Sequence, residues 1–297
     1  RVAEFTQATN LKPVTGVATT TAVINVGDTL LHKPGGYLSN DILPPSVLLD
    51  IMPAWEFGAL EMLRDITLSL RKDFSRSQSQ SVENEFLVKA QPNLNIDNTN
   101  WILPSAESQY QEAFDLIKLY RADLADVSKG NSQFYARADN LRDWLKEVEK
   151  RLGSMSQKLS ASVGSDVIDT NLAGDPAATQ STFTPDHKQT KTSWWLLDDN
   201  FYQARGMSWA LIHFLKAVEI DFADVLEKKN ALVSLRQIIR ELEATQETVF
   251  SPFILNGSGF GIVANHSLVM ANYISRANAA LIELSELLTQ VMKALND

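Results

Sequence analysis

Apolar residues recur along most of this chain at alternating intervals of three and four positions. That spacing places them on one face of a helix. Six segments share the pattern: Trp55–Phe74, Ser105–Val127, Phe134–Leu159, Met207–Val225, Leu232–Val249 and Met270–Leu295. The sequence therefore predicts six long helices.

The breaks between consecutive helical segments are short. Gly130 and Asn131 separate the second segment from the third, and Lys228–Asn230 separates the fourth from the fifth. Short connections favour antiparallel neighbours, although one bent helix is an alternative for the second pair. The fold class predicted is mainly α, a bundle of about six or seven helices in antiparallel hairpins.

Two further segments are ambiguous. The stretch from Val14 to Leu31 has the Thr and Val content of a strand, yet Val23, Val26 and Leu30 keep helical spacing. We favour a seventh helix from about Thr20. The segment Phe86–Leu103 has apolar clusters around a centre rich in Pro and Asn, which is typical of a small β-hairpin beside the bundle.

The domain organisation follows from length and from two irregular stretches. A chain of 297 residues is long enough for one large helical domain over residues 1–297. Residues 1–19 are expected to be irregular. Residues 160–193 are rich in Ser, Thr, Gly and Asp and form a long loop, and such loops are usually functional or disordered.

Composition excludes several function classes. Lys and Arg number 27 against 36 Asp and Glu, and the formal charge of -9 makes nucleic acid a poor partner. The absence of cysteine removes disulfides and thiolate chemistry. None of the four histidines begins a His-Glu-x-x-His motif, and phosphate-binding loops and Gly-x-Ser-x-Gly elbows are missing. We therefore expect no metal site and no cofactor.

The glycine-rich run from Asn256 to Gly261 is the first candidate site. Exposed amides of such a run between two helices hold anions in some proteins, so the ligand-binding candidates are Asn256, Gly257, Ser258 and Gly259. His266 would share the mouth of that pocket as a catalytic candidate. The favoured reading is simpler: the glycines let the chain turn and pass close to a neighbour.

The second candidate site combines aromatic residues with paired carboxylates. Aromatics beside two carboxylates resemble a carbohydrate-binding or general acid/base arrangement. The favoured reading is structural, with an aspartate capping a helix and the tryptophans in the core. The catalytic candidates are Asp198, Asp199 and His213, and the binding candidates are Trp194, Trp195 and Arg205.

Several long strings resemble a bacterial family known only as domain of unknown function 2333. They are HKPGGYLSNDILPP, WEFGALEMLRD, DFSRSQSQS, FYARADNLRDWL, LVSLRQIIRELEATQ and ILNGSGFGIVANHSLVMANYISRANAA. The resemblance implies a domain behind one N-terminal membrane-spanning helix in Gram-negative bacteria. Residues 1–19 would then be a linker from an anchor that this sequence lacks, and the domain would be periplasmic. The resemblance supplies no catalytic residues.

The leading functional expectation is a non-enzymatic cell-envelope scaffold or protein-interaction module with an envelope protein as its partner. The alternative is an enzyme or binding protein for a cell-wall glycan or lipid ligand, and an enzyme is the less favoured of the two. The two readings differ in one structural respect. The alternative requires the segments Trp194–His213 and Asn256–His266 to converge on one concave pocket.

Overall fold

The computed structural model describes residues 14–41, 51–77, 82–126, 132–168, 187–251 and 253–290. Within these ranges it contains nine α-helices and one pair of short strands, which confirms the mainly α bundle and raises the helix number above the six or seven expected. The helices are α1 (Val17–His32), α2 (Ile51–Ser69), α3 (Glu85–Leu94), α4 (Ala106–Ala125), α5 (Ala138–Ser160), α6 (Leu197–Asp221), α7 (Ala223–Lys228), α8 (Leu232–Ala244) and α9 (His266–Thr289).

Among the described residues, the six apolar stripes lie mostly on helices and face the core, and Phe134 and Val249 fall just outside the helices. In α5, for example, Leu141, Leu145 and Leu152 are fully buried. Helix starts follow local capping where a capping side chain is available: Ser105 Oγ accepts from Ser108 N at the start of α4. A single π-helical turn (Leu70–Phe74) extends α2.

Helix α1 begins three residues earlier than the sequence predicted, so the irregular N-terminal segment expected over residues 1–19 ends sooner. The reason is a cap from a distant helix. Asp221, the last residue of α6, accepts from Gly16 N at 2.8 Å, from Thr19 N at 2.6 Å and from Thr19 Oγ1 at 2.7 Å. Residues 1–13 lie outside the described part of the chain.

The β-hairpin predicted over Phe86–Leu103 is wrong, because the first half of that segment is helix α3. The side chain of Asn84 caps this helix by accepting from the next amides, at 3.0 Å from Phe86 N. Pro92 lies in the last turn, so the one backbone hydrogen bond that it cannot donate, to Val88 O, is close to the end of the helix. The signal that was missed is the helical spacing of three buried residues, Leu87, Ala90 and Leu94.

The long loop expected over residues 160–193 holds the strands that the structure describes. After a 3₁₀ turn (Ala161–Val163), β1 (Ser165–Ile168) pairs antiparallel with β2 (His187–Thr190), with Ser165 opposite Thr190. A second 3₁₀ turn (Trp194–Leu196) leads directly into α6. Residues 169–186 lie outside the described part of the chain.

Helices α2 and α6 form the most extensive helix contact in the bundle. They run parallel, since Gly58 packs against Gln203 and Met207, and Phe74 at the end of α2 meets Phe222 just beyond α6. A Cβ placed on Gly58 would lie 2.0 Å from Gln203 O, and one placed on Gly206 would lie 2.0 Å from Trp55 O. Two glycines therefore permit the backbones to touch.

Helix α5 runs antiparallel to this pair and packs chiefly on α9. Its direction follows from two contacts: Trp144 meets Phe74 beyond the end of α2, and Arg151 binds Asp65 and Glu61, about two and a half to three and a half turns before Phe74. Helix α4 packs on α1 and α3 instead. The predicted α4–α5 pair therefore runs in opposite directions, while the main packing partners of each helix lie elsewhere.

The buried side chains form one cluster to which all nine helices contribute. At the end of the bundle where α6 stops, the cluster is aromatic: Phe74 lies 5.3 Å from Phe134 and 5.4 Å from Phe222, ring centre to ring centre. The chain enters at this same end, because Asp221 caps α1. We call it the entry end.

Candidate functional site

The run from Asn256 to His266 is a tight hairpin-like turn in front of α9. Asn256 and Asn265 face each other as a single bridge, and Gly257 N donates to Ala264 O at 2.9 Å. Asn265 fixes the turn and the helix together. Its Nδ2 donates to Asn256 Oδ1 and Gly257 O, while its Oδ1 accepts from Leu268 N at 2.8 Å and so caps α9.

Two of the glycines in this turn are required by its geometry. A Cβ on Gly257 would lie 1.8 Å from Val263 O, so the two arms of the turn can approach only without a side chain there. Gly259 has a φ of +83°, a conformation that favours glycine. This geometry supports the turn-and-close-approach reading of the glycine run. Anion binding by Asn256, Gly257, Ser258 or Gly259 stays a prediction.

His266 begins α9 and has one ring nitrogen engaged by the backbone. Leu255 N donates to His266 Nδ1 at 3.1 Å, so the neutral ring carries its hydrogen on Nε2. The ring centre lies 6.5 Å from that of Phe201 in the second turn of α6. The turn and the start of α6 are therefore neighbours.

A cavity of about 530 Å³ lies beside this contact, between the start of α6, the end of α8 and the first turns of α9. Its apolar wall consists of Phe201, Ala244, Val249, Phe250, Val269 and Met270, and its polar groups include Glu247, His266 and Tyr273. Of the residues that the sequence singled out, His266 alone lines it. Each of the two candidate segments thus contributes a residue to this cavity, Phe201 or His266, whereas the other predicted site residues do not line it.

Trp194 and Trp195 form the 3₁₀ turn before α6, and they are exposed by 67% and 78%. Their rings meet edge to face at 5.0 Å. The reading that placed them in the core is wrong, because the turn projects beyond the helix ends instead of packing between them. Glycan stacking on these rings stays a prediction.

Asp198 and Asp199 lie in the first turn of α6, and neither of them occupies its cap position. The helix begins at Leu197 because the preceding 3₁₀ turn runs into it without a break, so the cap position falls on Leu196. Asp198 Oδ1 accepts from Asp199 N at 3.1 Å. Both carboxylates sit where the positive end of the helix dipole favours them.

Arg205 and His213 are not among the residues that line the cavity. Arg205 exchanges hydrogen bonds with Gln246: its Nη2 donates to Gln246 O at 2.7 Å, and Gln246 Nε2 donates back to Arg205 O at 3.1 Å. His213 is exposed and lies 4.9 Å from the ring of Trp209, which packs on Trp55 of α2. Twelve helical steps separate His213 from Phe201, about 18 Å along α6. His213 and His266 therefore cannot act on one small substrate together.

The most distinctive surface of the molecule was not predicted. Two loops expose large apolar side chains at the end of the bundle opposite the entry end, and both attach to the 3₁₀ turn at Ala161–Val163. Thr192 N donates to Ala161 O at 2.9 Å, and Asn256 Nδ2 donates to Ser162 O at 2.9 Å. We call this surface the apolar tip; its residues are Trp194, Trp195, Leu196, Phe250, Phe253, Phe260 and Ile262.

No charged residue occurs in either tip segment, 193–196 or 250–263. Phe250 is 95% exposed, and Phe260 and Ile262 are fully exposed. The sequence signal for this surface is a long uncharged run without helical spacing, which the sequence prediction interpreted only as a glycine-rich turn. Apolar side chains grouped this way mark interaction surfaces.

The described residues contain no cluster of three or more His, Cys, Asp or Glu side chains placed to hold a metal ion. A helix long and apolar enough to cross a membrane is likewise missing from the part of the chain that the structure describes.

Comparison with known proteins gives one relationship. No curated protein and no solved structure matches the chain. A bacterial family model, described as an uncharacterized protein conserved in bacteria (DUF2333), matches residues 1–291. The chain therefore belongs to the DUF2333 family.

Proposed function

We propose that the domain is a non-enzymatic interaction module of the cell envelope, and that the apolar tip is its contact surface for a partner protein. One observation carries the proposal: seven large apolar residues share one end of the molecule on two loops without a charged residue. The centres of protein interfaces are depleted in charge and enriched in aromatic residues.

A protein partner fits the charges better than a lipid surface does. Stable contact with an anionic bilayer draws on Lys and Arg near the inserted side chains. The two tip segments contain neither residue, and the whole chain carries a formal charge of -9. An anionic membrane would therefore repel the domain more than it would attract the tip.

We also propose that the domain lies in the periplasm, tethered to the inner membrane by an N-terminal anchor. The family resemblance supports this location. In such an arrangement the described chain joins the bundle at the entry end, and the tip lies at the far end of α6. That helix has 25 residues, about 37 Å of length.

Site-specific photo-crosslinking in cells tests the tip directly. A photoreactive residue replaces Trp195 or Phe260 in the full-length protein, and the matched control replaces Val233, an exposed apolar residue in the first turn of α8 at the entry end. We expect one periplasmic protein to crosslink at both tip positions and not at Val233. The crosslinked protein is identified by mass spectrometry.

A tip variant supplies the second half of the test. The triple substitution Trp195→Ser, Phe260→Ser and Ile262→Ser should keep the melting temperature, because these side chains are exposed. It should abolish co-purification of the crosslinked protein. Equal crosslinking at Val233, crosslinks to lipid alone, or a cytoplasmic partner would each contradict the proposal.

The alternative, a binding protein or enzyme for an envelope glycan or lipid, draws support from the cavity beside His266. Turnover of an envelope substrate by the purified domain would replace the interaction-module proposal. Asp198, Asp199, His213 and His266 would then be the residues to substitute.

A further inference from the structure

The cavity between α6, α8 and α9 has the size and lining of a small-molecule site. Its volume is about 530 Å³, within the range of roughly 300–1,000 Å³ that such sites occupy. Phe201 and Met270, each 3% exposed, are the buried apolar part of its wall, and Phe250 extends the apolar wall outward to the apolar tip. The cavity therefore suits a flexible apolar chain that enters from the side of the tip.

His266 supplies one hydrogen-bond donor on this wall, the N–H of Nε2. Because Leu255 N donates to Nδ1 at 3.1 Å, Nδ1 serves as an acceptor and the hydrogen resides on Nε2. The group that His266 can offer to a ligand is thus an N–H. Its complement is a carbonyl, ether or hydroxyl oxygen.

The charged residues of the cavity wall indicate which polar head group a ligand of this cavity can have. Among the described residues that line the cavity none is a Lys or Arg, and the exposed Glu247 contributes a carboxylate. A fatty acid anion or a phosphate would meet this carboxylate without a counter-charge, and like charges placed together at a binding site repel each other. An uncharged head avoids that repulsion.

We propose that this cavity binds one acyl chain whose head is uncharged and accepts a hydrogen bond from His266 Nε2, as the carbonyl of an acylglycerol ester does. The apolar wall takes the chain, and the rim at Glu247 excludes anionic heads. This site does not depend on the proposed protein contact of the apolar tip.

Two soluble probes with the same acyl chain test the proposal: monolaurin, with an uncharged glycerol ester, and laurate, with a carboxylate. Binding is followed by NMR of the methionine methyl groups below the micelle concentration of each probe. We expect monolaurin to shift the signal of Met270 in the wall and not that of Met62, which is buried in α2. Laurate should bind at least about tenfold more weakly.

A pair of matched substitutions at exposed positions tests where the ligand binds and should leave the fold intact. Val269 is 54% exposed on the cavity wall, and Ile282 is 41% exposed farther along the same helix. Val269→Trp should block the cavity and lower monolaurin affinity at least about tenfold, while Ile282→Trp should leave it unchanged. His266→Ala should weaken binding by about two- to tenfold, the effect of one hydrogen bond.

The triple tip variant distinguishes this proposal from the proposed function. It leaves Phe250 in place, so monolaurin binding should persist even where the partner protein is lost. The cavity proposal is overturned if monolaurin fails to shift Met270, if laurate binds as tightly, or if Val269→Trp binds monolaurin like the wild type. None of these results would bear on crosslinking at Trp195 and Phe260.

Discussion

Two buried or partly buried carboxylates hold chain segments in place. Glu56 is fully buried in α2, where it pairs with Lys33 and accepts from Leu38 N at 2.9 Å and Ser39 N at 2.8 Å. Asp221 caps α1 across the bundle. Each carboxylate accepts hydrogen bonds from backbone amides of another segment, so both acids serve folding.

Asp221 also makes stability depend on pH. Burial raises the pKa of its carboxyl above the ordinary value, although the hydrogen bonds from Thr19 and Gly16 oppose that rise. The folded state therefore binds this proton more tightly than the unfolded chain does. The stability that this proton contributes is present below the ordinary pKa of about 3.8 and is lost as the pH rises through the raised folded pKa.

The measurement is urea unfolding of the wild type and of Asp221→Asn between about pH 4 and pH 7. The variant does not titrate at this position, so the free energy of unfolding of the wild type minus that of the variant should fall as the pH rises. Its slope cannot exceed about 1.4 kcal/mol per pH unit. Only the change of this difference with pH tests the assignment, because the side-chain amide of the variant also alters the hydrogen bond from Gly16 N and so changes stability at every pH. A flat or rising difference would contradict the assignment.

At the scale of elements, the contact between α2 and α6 depends on Gly58 and Gly206. Each glycine faces a backbone carbonyl of the opposite helix, that of Gln203 or Trp55. A backbone oxygen cannot rotate away as a side chain can. The helices must therefore separate if either glycine gains a methyl group.

Gly58→Ala and Gly206→Ala should each lower the free energy of unfolding by about 1–3 kcal/mol or more, because the inserted Cβ overpacks the contact. Gly153→Ala is the matched control. It lies in α5 facing α9, where a Cβ would meet Asn278 Nδ2 at an ordinary 3.5 Å. That substitution should raise stability by up to about 1 kcal/mol through helix propensity. Chemical denaturation followed by circular dichroism checks all three, and a loss at Gly153 equal to that at Gly58 would refute the steric explanation.

Across the whole molecule, aromatic residues play opposite parts at the two ends. At the entry end, Phe74, Phe134 and Phe222 are packed ring against ring where several segments meet. At the apolar tip, Phe250 and Phe260 contact solvent. The first group stabilises the fold, and the second is available to a partner or ligand.

Phe74→Ala should therefore cost about 3–5 kcal/mol of stability, the usual cost of removing a buried phenylalanine ring. Phe260→Ala should change stability by less than about 0.5 kcal/mol, since its side chain is fully exposed in the described structure. Thermal unfolding of both variants provides the comparison. Similar losses at the two positions would mean that the tip is part of the core and would remove the basis of the proposed function.

The sequence predicted most of the architecture because helical periodicity is a local property. The stripe in α5, including Leu141, Leu145 and Leu152, needs no tertiary information to be read. The prediction failed at α3, because a proline and nearby asparagines in this short helix are residues typical of a turn. It also missed the exposure of Trp194 and Trp195, because aromatic residues look alike in the core and on a loop.

By itself the sequence determined the fold class, seven of the nine described helices, the family, and the absence of thiol chemistry. Those properties depend on spacing and residue type along the chain. Tertiary structure alone decided which candidates are neighbours: it placed His266 beside Phe201 and brought two uncharged loops together at one end. Contacts between residues distant in sequence arise from the packing directions of whole helices, which no local pattern encodes.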